Sequence, residues 1–344
     1  MRWDTEASVG SQVHSRAGRT VRSKAPVFVL GCIRSGTTLL YHMLLSAGNF
    51  VVYRAESNAI NLLEPRFGDL RIKRNKEKLM EAWLNSKLFQ VSGLVSGQIK
   101  AKVMAECQNG GDFLHIIMGE MARNQNVERW AECTPEHLLH LERIKQTIPD
   151  ALVIHIIRDG RDVALSAAQL DYVRRMWWDR SPKFMASGLY WEWVVKKGRK
   201  DGRKLGPDYT EVRFEELITD PRTTLAKLSG FIDQELNYDQ ILKIGIGSVS
   251  EPNTSFKDDK GGFNPLERWK KRYTPENLSA FEAAVGTTLE ELGYPLATTD
   301  RSLLNRPDMQ RMRGLYRTYF DSKLWLKSKT PLGKIFITKD LSWL

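Results

Sequence analysis

The sequence predicts an α/β fold in three layers, in which helices cover both faces of a central parallel sheet and a helical insert is added. Two apolar runs of strand length, at 27–30 and 151–157, each end in a turn and are followed by a helical pattern. Both runs are apolar throughout, which is typical of strands buried on both faces, as in a parallel sheet. Strands that alternate with helices along the chain indicate an α/β fold.

The chain has 344 residues, enough for one large α/β domain or two small ones. We predict a flexible basic arm over 1–25, the α/β domain over 26–296 with a helical insert at about 60–128, and a basic C-terminal appendage over 297–344. The appendage packs on its own domain, contacts a second copy in a homodimer, or lies on an anionic membrane.

Composition narrows the function classes. The arm has no apolar segment typical of a secretory signal, and no apolar run reaches the roughly 18 residues of a membrane helix, so we predict a cytoplasmic protein. The three cysteines and six histidines show no metal-ligand spacing, so no metal is expected. The net charge of +11 favours a strongly anionic ligand or a solvated basic surface. Because the basic residues are dispersed and carry no nucleic-acid-binding motif, a nucleic-acid-binding protein is the least favoured class.

The first strand leads into a glycine turn and then an amphipathic helix. Gly31 and Gly36 have the spacing of a phosphate-binding loop, but the position that holds lysine in such loops is Thr37, and the cation of this loop is Arg34. The backbone N–H groups at the start of the helix, with the Thr37 and Thr38 hydroxyls, are suited to hold an anion. The candidate anion-binding residues of this loop are Arg34, Ser35, Gly36, Thr37, Thr38 and Leu39.

A P-loop kinase or ATPase is the principal alternative. It requires lysine at position 37 and an acidic residue at a strand end to hold magnesium. Asp159 is the one tempting acidic candidate, and Arg158 beside it argues against this role.

Two further sites follow predicted strands. Glu56 lies just past the strand predicted at 50–53, at the edge of the sheet where open α/β proteins bind ligands. Arg158 follows the apolar strand at 151–157 and precedes a helix that contains Ser166. Each site has an alternative without a function. Glu56 would be a lone surface glutamate, and the arginines after the strand would pair with Asp159 and Asp162.

Together these motifs resemble the sulfotransferases that use 3′-phosphoadenosine 5′-phosphosulfate (PAPS), over roughly residues 26–296. The resemblance implies a P-loop-containing nucleotide-hydrolase-like fold, with Arg34 at the 5′-phosphosulfate, and Arg158 with Ser166 at the 3′-phosphate. Phe214 takes the place of a residue that contacts adenine in relatives. The late-loop motif of the family is similar to residues 260–274, which adds Lys260, Gly261, Arg268 and Trp269 to the donor site.

Catalysis is also implied by the resemblance. Tyrosylprotein sulfotransferases carry a glutamate base after the loop arginine, and Glu56 matches it if one inserted residue is assumed. Cys133 stands where many relatives have lysine, and Phe214 lacks the hydroxyl of relatives with tyrosine. We predict sulfuryl transfer from PAPS, without a metal, to a small-molecule, glycan or lipid acceptor, with Trp177 and Trp178 shaping the acceptor pocket.

Overall fold

The computed structural model describes residues 21–253, 264–299, 302 and 306–333. Within them, four strands form one parallel sheet, in the spatial order β2-β1-β3-β4. Their bounds are Val27–Gly31 (β1), Ala131–Glu132 (β2), Leu152–Ile157 (β3) and Tyr209–Arg213 (β4).

Helices separate the strands along the chain. The described α-helices are Thr37–Ser46 (α1), Glu64–Phe67 (α2), Lys73–Leu84 (α3), Lys87–Gln90 (α4), Ser96–Glu106 (α5), Gly110–Gln125 (α6), Leu141–Thr147 (α7), Gly160–Gln169 (α8), Lys183–Gly202 (α9), Phe214–Thr219 (α10), Pro221–Ile232 (α11), Tyr238–Ile244 (α12), Trp269–Arg272 (α13), Pro275–Glu291 (α14) and Pro307–Lys329 (α15). Short 3₁₀ helices cover Arg22–Lys24, Pro135–His140, Arg203–Asp208 and Gly247–Val249, and Ala59–Leu63 is a π-helix.

The two central strands are buried on both faces. In β1, Val27 and Val29 pack with α1 and the helices that follow β4. Phe28 and Leu30 point to the other face, where helices of the insert join α9 and α14. Alternating side chains of one apolar strand therefore enter two cores, as the predicted three-layer α/β fold requires, and this prediction is confirmed.

The predicted insert, arm and appendage, where the structure describes them, lie outside the central sheet. Helices α2 to α6 occupy the region of the predicted insert. Residues 1–20 of the predicted arm lie outside the described residues, but Arg22 Nε donates a 2.5 Å hydrogen bond to the Phe231 carbonyl, so the end of the arm packs on the domain. Helix α15 of the appendage buries Tyr316 and Phe320 in the same core as α9.

The strand predicted at 50–53 is wrong. Phe50 makes only an isolated bridge to Arg129. The Val51 N–H still donates to the Arg129 carbonyl at 2.8 Å, but the pairing stops there. Gln125 bonds both the N–H and the carbonyl of Val52, and the Tyr41 hydroxyl donates to the Tyr53 carbonyl. These side-chain bonds replace the ladder that a fifth strand would have needed.

The turn after β2 also differs from prediction. A threonine followed by proline, as at Thr134 and Pro135, predicts a capped α-helix, yet the Thr134 side chain makes no cap and a 3₁₀ helix follows. Its hydroxyl donates instead to the Glu132 carboxylate and accepts a 3.1 Å bond from the Asn58 N–H. The local sequence fits a cap, but a buried carboxylate competes for the hydroxyl.

Candidate active site

The glycine turn joins β1 to α1 and places Arg34 at its tip. Arg34 has a φ of 67°, a left-handed conformation that is uncommon for a residue with a Cβ and that often marks functional turns. Its Nε donates a 2.9 Å hydrogen bond to Ser166 Oγ on α8. The guanidinium is thereby fixed from a neighbouring element, at the carboxyl end of the sheet.

Close packing explains why the turn needs its glycines. Gly36 has a φ of 95°, and a Cβ there would lie 2.3 Å from the ring of Phe214. A Cβ at Gly31 would lie 2.5 Å from the Ile156 carbonyl oxygen. The turn therefore fits between β3 and the first residue of α10 only without these side chains.

The start of α1 provides backbone donors. Gly36 is its N-cap residue, and no side chain caps the helix. The N–H groups of the first turn have no acceptor within a helix, and the helix dipole adds partial positive charge there. The Ser35 N–H is an exception, because it donates to the Cys32 carbonyl at 3.1 Å within the turn. The backbone N–H groups of Gly36, Thr37, Thr38 and Leu39 are therefore the ones in this loop that are suited to hold an anion.

Arg158 leaves the end of β3 and reaches the same turn. Its Nη1 donates to the Arg34 carbonyl at 3.1 Å, and its Nη2 donates to the Pro265 carbonyl at 2.6 Å. Its guanidinium lies 4.5 Å from the centroid of the Phe214 ring, a cation–π contact. Asp162 is 3.7 Å from Nη2.

Arg158 lies close enough to Arg34 for its charge to affect the pKa of the Arg34 guanidinium. Burial lowers the pKa of Arg34 below its usual value; the nearby Tyr172 hydroxyl raises it, and the positive charge of Arg158 lowers it. Burial raises the pKa of Asp162 to about 6, although the Arg158 charge opposes that shift. Two cations that repel each other across one opening form a site suited to an anion.

A cavity of about 330 Å³ opens between these groups. Its lining includes nine predicted site residues, namely Arg34, Gly36, Thr37, Thr38, Leu39, Arg158, Ser166, Phe214 and Arg268. Residues with no role in the sequence analysis complete the wall, among them Tyr238 and Ser248. Ser248 is held by His42, whose Nδ1 accepts a 2.9 Å bond from the Ser248 N–H.

Other predicted donor-site residues are placed differently. Ser35 is fully buried behind the turn. Trp269 does not line this cavity: its indole packs under the Arg161 guanidinium at 3.8 Å, and its backbone N–H donates to Asp162 Oδ1 at 2.9 Å. Lys260 and Gly261 lie outside the described residues.

Arg161, the second arginine after β3, lies in the protein interior. Arg161 is buried and bonds both Asp159 and Glu282, at 2.7 and 2.8 Å. The same pairing occupies the carboxylate of Asp159, the residue that a magnesium-dependent alternative would need. Of the two arginines, Arg158 therefore faces the cavity and Arg161 joins a buried ion-pair network.

Glu56 is exposed and belongs to a bend that packs beside the last residue of β2, Glu132. It does not line the cavity between Arg34 and Arg158. Its neighbour Ser57 donates to Glu132 Oε1 through both the N–H, at 3.2 Å, and the hydroxyl, at 2.8 Å. Burial raises the pKa of the Cys133 thiol, and the negative charges of Glu132 and then Glu56 raise it further, which places the Glu56 carboxylate near Cys133.

The fully buried carboxylate of Glu132 organises this bend, and the sequence analysis assigned it no role. Besides the donors from Ser57 and Thr134, it pairs with His137 Nδ1 at 2.8 Å. His137 Nε2 accepts the Ile60 N–H, so the ring links β2 to the π-helix that follows Glu56. Burial alone would raise the pKa of Glu132, but His137 and the hydroxyl donors hold it below its usual value.

The strand order sets these groups side by side along one edge. Glu132 and the bend with Glu56 lie at β2, Arg34 at β1, Arg158 at β3 and Phe214 at β4. Arg34 thus lies between the carboxylates at β2 on one side, and the Arg158 cation and the Phe214 ring on the other.

In the described part of the chain, no group of three or more His, Cys, Asp or Glu side chains is placed to hold a metal ion, and no helix is long and apolar enough to cross a membrane.

Comparison with known proteins was made on both sequence and structure. The family model described as "Sulfotransferase family" matches residues 26–238. The sulfotransferase domain of the Synechococcus PCC 7002 olefin synthase aligns over 79% of this chain and 95% of its own, at 18% identity and a TM-score of 0.51. The sulfotransferase domain from the curacin biosynthetic pathway aligns over 79% of this chain and 98% of its own, at 15% identity and a TM-score of 0.51. No curated protein gives a significant match.

The two structural likenesses agree on the fold, which is the P-loop-like α/β/α arrangement of sulfotransferases. The family match covers the glycine turn, Arg158 with Ser166, and Phe214. It spans more than half of the sequence, and the chain therefore belongs to the sulfotransferase family.

Proposed function

We propose that this sulfotransferase takes the sulfuryl group of PAPS and transfers it to a hydroxyl of a small-molecule, glycan or lipid acceptor. The observation that carries the proposal is the convergence of Arg34 and Arg158 on one cavity from the ends of adjacent strands. A donor with a phosphate group at each end needs two separate cationic sites, and these two arginines provide them.

The residues present fit such a donor. The Arg158 Nε is buried and, within the described residues, has no hydrogen-bond partner. A buried unpaired donor of this kind is costly unless a ligand satisfies it. The cavity of about 330 Å³ is within the usual range of roughly 300–1,000 Å³ for small-molecule sites. Phe214 offers a ring beside it for adenine, although Arg158 already covers part of that ring.

When bound, PAPS supplies an activated sulfuryl group whose transfer leaves 3′,5′-adenosine bisphosphate (PAP). Arg34 and the N–H groups of Gly36, Thr37 and Thr38 are positioned to stabilise negative charge at the 5′ end. Arg158, Ser166 and Arg268 bind the 3′ end. Ser166 also orients Arg34 through their 2.9 Å bond, so the two ends of the site are mechanically linked.

Glu56 is proposed as the base that takes the proton of the acceptor hydroxyl. It lies on the β2 side of Arg34, opposite to Arg158, which leaves the attacking oxygen and the nucleotide on different sides of the transferred group. In-line transfer needs this arrangement. Glu132 and His137 hold the bend that carries Glu56 through bonds to Ser57 and Ile60.

Thermal denaturation with PAP and with magnesium ATP tests the donor class, because a ligand that binds the folded protein stabilises it by RT ln(1 + [L]/Kd). We expect stabilisation by PAP, and transfer of label from ³⁵S-PAPS to an acceptor in a mixed acceptor screen. Stabilisation by magnesium ATP alone would favour the kinase or ATPase alternative and overturn the proposal.

Four further predictions from the sequence stay proposals. They are a location in the cytoplasm, a homodimer, contact of the appendage with a membrane, and the domain bounds given above.

A further inference from the structure

The segment between α8 and α9, residues 170–181, presents apolar side chains to solvent; we call it the aromatic segment. Leu170 is 47%, Tyr172 57% and Trp177 85% exposed. A tryptophan that exposed buries almost none of its apolar surface, whereas isolated exposure of one smaller residue would be ordinary. Three such residues within one short connection indicate a surface that contacts another molecule.

The aromatic segment begins beside the proposed transfer site. Ser166, which bonds Arg34, lies on the last turns of α8. The chain then folds back, because the Tyr172 N–H donates to the Ala167 carbonyl at 3.2 Å. Tyr172 is near enough to Arg34 to raise the pKa of the guanidinium. Tyr172 is therefore an exposed aromatic side chain of the segment that lies near Arg34.

The C-terminal helix fixes the far end of the aromatic segment. On α15, the Tyr316 hydroxyl donates to Asp179 Oδ2 at 2.6 Å and accepts the Met176 N–H at 3.1 Å. The Tyr316 ring also packs on Trp178, with centroids 5.8 Å apart. Tyr316 is fully buried, so it anchors the base of the segment while Trp177 stays exposed.

Helix α15 is itself firmly docked on α9. Arg313 Nε bonds Glu192 Oε2 at 3.0 Å, and the Trp193 indole N–H donates to Asp321 at 3.0 Å. Phe320 contacts both Tyr190 and Trp193. Helix α15 lies beyond the region matched to the family, residues 26–238.

The charge of the aromatic segment is positive. Arg174, Arg175 and Arg180 are exposed, and Asp171 is paired with Lys183 at 2.7 Å. Asp179 is buried against Tyr316. Exposed arginines beside a tryptophan and a tyrosine complement a molecule that has both a flat ring and a negative group.

We propose that the aromatic segment is the acceptor-binding surface, that it takes a ring-bearing acceptor with a negative group, and that Tyr316 holds it in place. The inference rests on the proposed sulfuryl transfer and adds the acceptor class. Trp177 stacks on the ring of the acceptor, arginines of the segment bind its negative group, and Tyr172 guides its hydroxyl toward Arg34. Tyr316 is a positioning residue, since it acts through Met176 and Asp179.

Binding of the acceptor by the aromatic segment is tested with 2-naphthyl sulfate, an aromatic anion of the type that sulfation of a naphthol gives. Its affinity is measured by calorimetry with the full chain saturated with PAP. We expect Trp177→Ala to weaken binding at least tenfold. Trp325→Ala is the matched control, because Trp325 is also exposed, at 58%, but lies on α15 outside the segment. Equal affinities in wild type and Trp177→Ala, or no binding by wild type at millimolar probe, would overturn the proposal.

A membrane is the other ligand that such a surface suits, so vesicles form a second arm. Vesicles of phosphatidylcholine with phosphatidylserine are sedimented with the protein. Under our proposal Trp177→Ala leaves the sedimented fraction unchanged. Sedimentation that depends on Trp177, without binding of 2-naphthyl sulfate, would assign the segment to a membrane and refute the acceptor role.

The positioning role of Tyr316 is tested without any acceptor. Trypsin cleaves after exposed arginines, and the segment contains three of them. Tyr316→Phe removes the hydroxyl that holds Met176 and Asp179, so we expect at least fivefold faster cleavage within 170–181 and weaker binding of 2-naphthyl sulfate. Tyr319→Phe on the same helix is the control and keeps the wild-type rate. Wild-type cleavage in Tyr316→Phe would rule out the clamp.

The affinity for PAP separates failure of this inference from failure of the proposed function. If PAP binds and 2-naphthyl sulfate does not, the donor proposal stands and the acceptor surface is wrong. If PAP does not bind, the proposed donor is wrong, whereas the trypsin experiment still tests the clamp by Tyr316.

Discussion

The Arg158 guanidinium donates a 3.1 Å hydrogen bond to the backbone carbonyl of Arg34. This contact joins the end of β3 to the tip of the glycine turn, so two cations are held in one opening by the protein itself. Arg34 is held in turn by Ser166. A site built in this way orders its donors before the ligand arrives, and binding then costs less conformational entropy.

Replacing Arg34 tests its proposed role at the reacting group. Arg34→Ala removes a cation where negative charge develops, and losses of this kind lower kcat by about 10²–10³-fold. We expect such a loss with an unchanged melting temperature, since the guanidinium is half-buried at a turn rather than in a core. Steady-state kinetics with PAPS measures the effect, and Arg222→Ala, an exposed arginine paired with Asp239, is the control. A kcat within threefold of wild type would refute the role.

Replacing Glu56 tests the proposed base. Glu56→Gln keeps the size of the side chain but cannot accept a proton, and loss of a general base costs about 10²–10⁴-fold in rate. Because Glu56 does not line the donor cavity, we expect the Kd for PAP to stay at the wild-type value while kcat falls. Near-normal turnover in Glu56→Gln would show that another group takes the proton.

The buried Glu132 carboxylate is expected to stabilise the fold around the bend that carries Glu56. Glu132→Gln places an amide N–H₂ among donors from Ser57, Thr134 and His137, which leaves several of them unsatisfied. We expect the free energy of unfolding to fall by about 3 kcal/mol in urea titrations. Glu128→Gln is the control, since its carboxylate is exposed. A change below about 0.5 kcal/mol in Glu132→Gln would contradict the importance of this network.

Acid sensitivity follows from a histidine in the central strand. Burial lowers the pKa of His155 to about 4, and its Nδ1 lies 2.7 Å from the Tyr209 hydroxyl. The unfolded chain has the ordinary histidine pKa of about 6.5, so it binds more protons than the folded chain between these values. This contribution to stability is therefore complete above pH 6.5 and is lost as the pH falls toward 4.

We expect His155 to account for about 2 kcal/mol of the loss in unfolding free energy between pH 7 and pH 5. Urea titrations of wild type and His155→Leu at both pH values measure it. Each protein is compared with itself at the two pH values, so any change in unfolding free energy caused by repacking around the substituted side chain cancels. An equal loss in both proteins would show that His155 does not cause the acid sensitivity.

The sequence predicted the parts of the site that depend on local order along the chain. A strand, a glycine turn and a helix place Arg34 regardless of what packs around them, and an arginine after a buried strand reaches the carboxyl edge of the sheet. Those rules pointed to Arg34 and Arg158, and the family resemblance added Ser166 and Phe214; all four line one cavity.

Features that depend on distant partners were not predicted. No local pattern shows that Gln125 bonds the Val52 backbone in place of a strand, or that Trp269 lies under Arg161 outside the cavity. The pairing of Glu132 with His137 is close in sequence, but its role appears only when Ser57 and Ile60 arrive from another segment. Tertiary competition for hydrogen bonds decided each case.

The central claim is that Arg34 and Arg158 bind opposite ends of one doubly phosphorylated adenosine. Calorimetric titration of wild type and Arg158→Ala with PAP and with adenosine 5′-monophosphate, which lacks the 3′-phosphate, tests it most directly. We predict that wild type prefers PAP by at least tenfold and that Arg158→Ala loses most of this preference, because, of the described residues proposed to bind the 3′-phosphate, only Ser166 and Arg268 are left. A preference for PAP in Arg158→Ala that is as large as in wild type would contradict the account.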